Sequence, residues 1–233
     1  GKVVLITGAA GVLGRAVVRK MAETGAYVAL TARRLEPLQE LAAELNLAAE
    51  RSLLHAADLA APEQAQALVD ALAARWGGVD ILLNLAGGWS GGKRLADVSD
   101  QEWQAALDRN LTSALHINRA VLPFMVKRGW GRIVNVGSKA AEQPGARQAA
   151  YNVAKAGVVA LTQSIAADYR RQGISANVLL PSIIDTPDNR AQMPDSDFGR
   201  WVKPEELAAM MLFLCSDEAA SINGASIAVY GTV

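Results

Sequence analysis

The stretch Val3-Val4-Leu5-Ile6-Thr7-Gly8-Ala9-Ala10-Gly11-Val12-Leu13-Gly14 decides how this chain is read. Its first half is an apolar run rich in β-branched residues and closed by a turn, the pattern of a strand covered on both faces. Its second half is a glycine turn that runs into a helical pattern. A turn of this kind lets backbone N–H groups approach a phosphate at the positive end of a helix. Gly8, Gly11 and Gly14 are spaced three apart, so tight turn, close approach and helix packing can each have a glycine, and Leu13 completes the candidate loop.

Outward from this unit the same rhythm continues to the end of the chain. Strands are expected at Val3–Thr7, Tyr27–Thr31, Ser52–Ala56, Asp80–Asn84, Gly131–Gly137, Ile174–Leu180 and Ala225–Tyr230. Helical stretches lie between them, among them Leu35–Leu47, Pro62–Trp76, Asp100–Arg128 and Ala149–Arg171. Pro62 sits where a first helical turn tolerates proline, and Ser99 or Asp100 can cap the helix that follows. Strand–helix alternation predicts an α/β fold: one Rossmann-like doubly wound domain spanning residues 1–233. Its seven-stranded parallel sheet would be flanked by helices on both faces. The long irregular segment from Pro181 to about Lys203 is expected to form a substrate lid within that domain, beside the carboxyl ends of the strands.

Composition narrows the possible partners. With 51% hydrophobic and 20% charged residues in 233, the chain is not of the disordered class. Its 23 basic and 23 acidic residues balance, which leaves no electrostatic reason to expect nucleic acid or an anionic membrane. No apolar stretch approaches the roughly 18 residues needed to cross a bilayer. The single cysteine, Cys215, follows the apolar run Met210-Met211-Leu212-Phe213-Leu214 and reads as a packed core thiol. No disulfide framework is possible, which fits a reducing, cytoplasmic setting. His55 and His116 stand far apart and the acidic residues are scattered over helix faces, so no metal site is expected.

Two further patterns carry chemistry. The second strand ends Leu30-Thr31-Ala32-Arg33-Arg34, with two arginines where many dinucleotide folds place an acid for the adenosine ribose diol. An arginine fork suits a 2′-phosphate, which favours NADP(H) over NAD(H). Tyr151-Asn152-Val153-Ala154-Lys155 opens a helical stretch, and positions i and i+4 share a helix face. A cation close to a phenol lowers its pKa from about 10 by roughly 1–3 units, making it a proton donor near neutrality.

In order and spacing these motifs resemble the short-chain dehydrogenase/reductase family, over essentially the full length. The resemblance rests on the glycine turn, Asn84-Leu85-Ala86-Gly87, Asn110, Ser138, Tyr151 with Lys155, and Pro181 through Thr186. It implies a catalytic tetrad of Asn110, Ser138, Tyr151 and Lys155. Tyr151 would be general acid or base, Ser138 would hydrogen-bond the reacting oxygen, and Asn110 would seat a proton-relay water. Lys155 would grip the nicotinamide ribose and depress the Tyr151 pKa. Cofactor contacts are implied for Gly8, Gly11, Leu13, Gly14, Arg33, Arg34, Asp58 near the adenine, Asn84, Ala86, Gly87, Pro181, Ile184 and Thr186. The family also implies a homo-oligomer, dimer or tetramer, packed through Asp100–Arg128 and Ala149–Arg171. One departure is that Val12 stands where the common loop has glycine, with Gly11 one place earlier, a spacing similar to the family's extended branch.

The substrate half further resembles the dihydropteridine reductases, through Gly87-Gly88-Trp89-Ser90-Gly91-Gly92, Asp185-Thr186-Pro187 with Asn189-Arg190, and Met193-Pro194 with Asp197-Phe198 and Trp201. Trp76, Trp103 and Trp130 read as packing anchors. Trp89 could stack on a flat substrate, and Gln148 and Asn189 are further pocket candidates. The expected activity is reduction of a ketone such as a 3-oxoacyl thioester. Pterin reduction is the alternative, and a non-catalytic NADP(H)-binding sensor or scaffold is the alternative of another class.

Overall fold

The computed structural model describes residues 1–232. Seven parallel strands form one sheet in the order β3-β2-β1-β4-β5-β6-β7: β1 (Val3–Thr7), β2 (Tyr27–Ala32), β3 (Ser52–Ala56), β4 (Ile81–Asn84), β5 (Gly131–Val136), β6 (Ile174–Pro181) and β7 (Ser226–Val229). The seven expected strands are all present, their ends shifted by a residue at most. Successive side chains on a strand point to opposite faces. Val3 and Leu5 therefore enter one apolar layer, while Val4 and Ile6 enter the other.

The first layer is closed by α3 (Pro62–Trp76), α5 (Ser113–Arg128) and α6 (Ala149–Tyr169), through residues such as Leu68, Ile117 and Ile165. The second is closed by α1 (Val12–Ala22), α2 (Glu36–Glu44) and α8 (Pro204–Leu214), through Val17, Leu41 and Met211. Strand order reverses between β1 and β4. The loops after these two strands therefore part to opposite faces and leave a crevice at the carboxyl end of the sheet, where open α/β folds bind ligands.

Two expectations need correction. The stretch Asp100–Arg128 is not one continuous helix. A capping box between Ser99 and Glu102 starts α4 (Asp100–Leu107), and a π-helical turn over Asp108–Thr112 then separates α4 from α5. Such insertions widen the helix locally and are frequent at functional sites. The segment after Pro181 is likewise not irregular throughout. It contains α7 (Pro187–Gln192) and a 3₁₀ turn at Phe198–Arg200, and Ile184 pairs in parallel with Val202.

Candidate active site

The glycine loop takes the shape its residues dictate. Gly8 has φ +63°, a left-handed conformation, and its carbonyl accepts from the Gly11 amide at 3.1 Å. A Cβ at Gly14 would lie 2.3 Å from the Gly8 carbonyl oxygen, so only glycine lets the first turn of α1 close on the loop. Gly11 precedes α1 with no side chain capping it. Val12 occupies the first helical position and turns 41% of its surface outward, so the missing glycine demands no unusual backbone. Leu13 packs its side chain into the second apolar layer.

Thr7 joins this loop to the one after β4. Its hydroxyl donates to Asn84 Oδ1 at 2.7 Å and accepts from the Leu85 and Ala86 amides at 3.1 and 2.9 Å. Asn84 in turn donates to Asn135 Oδ1, which also accepts from Asn118, while Asn135 Nδ2 donates to Thr162. All five side chains are buried, and among the described residues none of their polar atoms lacks a partner. Sequence reasoning placed Asn84 at the cofactor. The structure uses its side chain inside the sheet, where it fixes the path of Leu85 and Ala86 through Thr7. Thr7, Asn118, Asn135 and Thr162 were missed, because only the register Thr7↔Asn84↔Asn135 shows that they meet.

Gly87 (φ +149°) marks the centre of the site. A Cβ there would lie 2.8 Å from Asn110 Oδ1 and 3.2 Å from Lys155 Nζ. Asn110, in the π-helical turn, accepts from the Gly88 amide at 3.0 Å and donates to the Gly88 and Ala106 carbonyls at 3.1 and 3.0 Å. Its amide is therefore committed to holding the loop after β4.

Ser138 follows β5 and caps a 3₁₀ turn, Lys139–Ala141, by accepting from the Ala140 amide at 3.2 Å. Tyr151 stands in the first turn of α6, with the Ser138 hydroxyl near enough to act on its phenol. One turn on, Lys155 is buried and donates to the Val136 carbonyl at 2.9 Å. Burial lowers its pKa to about 8. The Tyr151 phenol is pushed up by burial, and the neighbouring Ser138 hydroxyl draws it only partly back. The expected lowering by Lys155 is not among the influences on this phenol. The ammonium lies 5.9 Å from the phenol ring centre and is itself weakened by desolvation.

Arg33 and Arg34 are both exposed just beyond β2 and make no hydrogen bond or ion pair among the described residues. Asp58 is exposed beyond β3, with Oδ1 accepting from the Ala60 amide. Pro181 ends β6, and Thr186 caps α7 by accepting from the Asn189 amide at 3.1 Å. Asn189 Nδ2 donates to the Ile184 carbonyl at 2.8 Å, tying that pocket candidate to its own loop. Trp89, 59% exposed, donates its indole N–H to Gln148 Oε1 at 2.8 Å, and Gln148 donates to Asn152 on α6. His116 Nδ1 lies 3.1 Å from the Leu59 carbonyl, a structural contact. Among the described residues no group of three or more His, Cys, Asp or Glu could hold a metal ion.

A glycine cradle that a Cβ would fill, two exposed guanidiniums beyond the neighbouring strand, and a tyrosine–serine–lysine cluster across the crevice fit a nicotinamide dinucleotide. This is the class of the NAD(P)-dependent oxidoreductases. The family model for the short chain dehydrogenases matches residues 2–197, and the chain belongs to that family. It is 35% identical to the 3-oxoacyl-[acyl-carrier-protein] reductase FabG of Vibrio cholerae, over 99% of this chain and 96% of the relative. Among solved structures, a single-substitution variant of the actinorhodin polyketide ketoreductase with NADPH superimposes with TM-score 0.91 at 30% identity. That match covers 99% of this chain and 96% of the other. An NAD⁺-bound xylitol dehydrogenase does so with TM-score 0.91 at 26% identity, covering 99% and 98%. The chain is thus an NAD(P)-binding oxidoreductase. Among the described residues no helix is long and apolar enough to cross a membrane.

Proposed function

We propose that the protein is an NADP(H)-dependent ketone reductase acting on a 3-oxoacyl thioester. The observation that carries this reading is the grouping of Tyr151 and Ser138 beside the buried Lys155, in a chain similar end to end to 3-oxoacyl reductases. Gly8, Gly11, Gly14 and the Leu13 backbone would hold the pyrophosphate. Arg33 and Arg34 would hold the 2′-phosphate, Asp58 the adenine, Ala86 and Gly87 the ribose side, and Pro181, Ile184 and Thr186 the carboxamide. When bound, the nicotinamide supplies the hydride that reduces the carbonyl carbon. Tyr151 gives its proton to the carbonyl oxygen, which becomes the hydroxyl, and Ser138 donates a hydrogen bond that orients that oxygen. A phenol held protonated by burial suits the reductive direction.

Residues 1–233 act as one domain in this reading, with 181–203 as its lid, and the substrate meets Trp89 and Gln148. The enzyme works in the cytoplasm as a dimer or tetramer packed through α4, α5 and α6. Four of the residues behind the pterin resemblance, Asp185, Arg190, Phe198 and Trp201, serve the lid itself. Arg190 is bidentate to Asp185 at 2.6 and 2.7 Å and stacks on Phe198, which packs against Trp201. They are explained without a pterin.

The test is oxidation of NADPH and of NADH by the purified protein, with acetoacetyl thioester and quinonoid dihydropterin compared in parallel. Faster turnover of the thioester with NADPH is expected. Preference for the pterin would overturn the substrate assignment, and preference for NADH would overturn the roles of Arg33 and Arg34.

A further inference from the structure

The chain's last described turn reaches the far end of the 3₁₀ turn that Ser138 caps. Tyr230 follows β7 directly, and its phenol donates to Glu142 Oε2 at 2.7 Å. Glu142 ends the 3₁₀ turn that Ser138 begins. The same ring lies 5.2 Å from the Lys139 ammonium and packs on the small apolar cluster of Val158, Val178 and Leu180. Its main chain grips a second element: Ser182 Oγ donates to the Tyr230 carbonyl at 2.7 Å, and the Ser182 amide donates to the Val229 carbonyl at 3.1 Å. One residue therefore touches both the turn that presents Ser138 and the root of the segment that starts at Pro181. At its root the Ser138 turn is already jammed, since a Cβ on Gly137 would lie 2.5 Å from Leu180 Cδ2. Glu142 is its exit, and the carboxylate there is held from the Tyr230 side.

We propose that Tyr230 is a positioning residue for the reaction, clamping the Ser138 turn and the base of the lid in one register through Glu142 and Ser182. The proposal rests on the assignment of Ser138 as the group that orients the reacting oxygen. Misplacing an orienting group by about 1 Å can lower turnover as much as a hundredfold, so loss of one of two anchors should matter without abolishing activity.

Tyr230→Phe keeps the ring and removes only the hydroxyl. It is expected to lower kcat about tenfold while NADPH affinity, measured by fluorescence titration, stays within about twofold. Glu142→Ala should match it, whereas Glu142→Gln, which retains an acceptor, should recover most of the activity. In a Ser138→Ala background the Tyr230→Phe change should have almost no further effect on kcat, because the clamp acts through Ser138. Additive losses in that double mutant would overturn the proposal, as would a Glu142→Gln variant no better than alanine. Hydrogen exchange of the amides at 140–142 separates this from the substrate assignment. Those amides should exchange several-fold faster in Tyr230→Phe whatever the substrate proves to be, and unchanged exchange would sink the clamp even if ketone reduction is confirmed.

Discussion

Two buried polar clusters lie side by side at the carboxyl end of the sheet, and physically they are opposites. Thr7, Asn84, Asn118, Asn135 and Thr162 form a neutral network in which every side-chain donor or acceptor has a partner among the described residues. Lys155 and Tyr151 are titratable, and burial opposes the charged form of each. Neutral, saturated amides in a low-dielectric interior rigidify the surrounding backbone, whereas a buried ionisable group stores unfavourable energy that chemistry can use. The first cluster is a frame and the second is a working part. Substitutions should separate them, stability failing in one and turnover in the other.

The largest effect is expected from Tyr151→Phe. It deletes the proton donor and nothing of the frame, so turnover should fall by roughly 10²–10⁴ while thermal stability and NADPH binding stay close to wild type. Steady-state kinetics beside a melting curve would show this. Near-normal turnover would move the proton donor elsewhere.

Asn135→Ala probes the other side of the comparison. It removes the acceptor shared by Asn84 and Asn118 and the donor to Thr162, leaving buried polar groups without partners in a sheet interior. Leaving such a group unsatisfied costs about 1–3 kcal/mol, so a loss of about 3 kcal/mol in denaturant unfolding is expected. Turnover per folded molecule should change little by comparison. A large drop in kcat with the unfolding midpoint unmoved would mean that the frame takes part in the chemistry.

Motif and periodicity made much of this legible in advance, for physical reasons that also mark where they stop. Strands buried on both faces are near-continuous apolar runs, so β1 and β4–β6 could be read directly. Gly8 and Gly14 are the residues for which any side chain would collide or strain the backbone, and that requirement is local in sequence. Tyr151 and Lys155 are one helical turn apart, again a local relation. The asparagine frame is non-local: Thr7, Asn84 and Asn135 meet only through strand register, and no periodicity encodes a register. The π-helical turn at Asp108–Thr112 carries no composition signal distinct from the helix around it. The fate of Asn110's amide, and the contact of Tyr230 with Glu142 across 88 residues, likewise needed the fold. Burial also reversed the electrostatic expectation at Tyr151, because helical spacing gives the distance to Lys155 but says nothing of the solvent removed from both.

Lys155→Met is expected to shift stability less than Asn135→Ala and in the opposite direction, which gives the sharpest contrast between frame and working part. The folded protein lowers the Lys155 pKa from 10.5 to about 8, so it binds this proton less tightly than the unfolded chain does. The sign follows from linkage: the penalty on folding is fully present below pH 8, shrinks as pH rises through the interval from 8 to 10.5, and is gone above it. Removing the ammonium should therefore relieve a penalty of roughly 3 kcal/mol at about pH 7. After the loss of the bond to the Val136 carbonyl, the ligand-free protein should gain about 2 kcal/mol net. The gain should fade toward about pH 10, and turnover should be badly impaired at every pH. Melting curves of both proteins from about pH 6 to about pH 10 would test this. Equal destabilisation across that range would place Lys155 with the frame, as a group kept for the bond it makes. Stability gained where activity is lost would mark it as a charge held buried for its work.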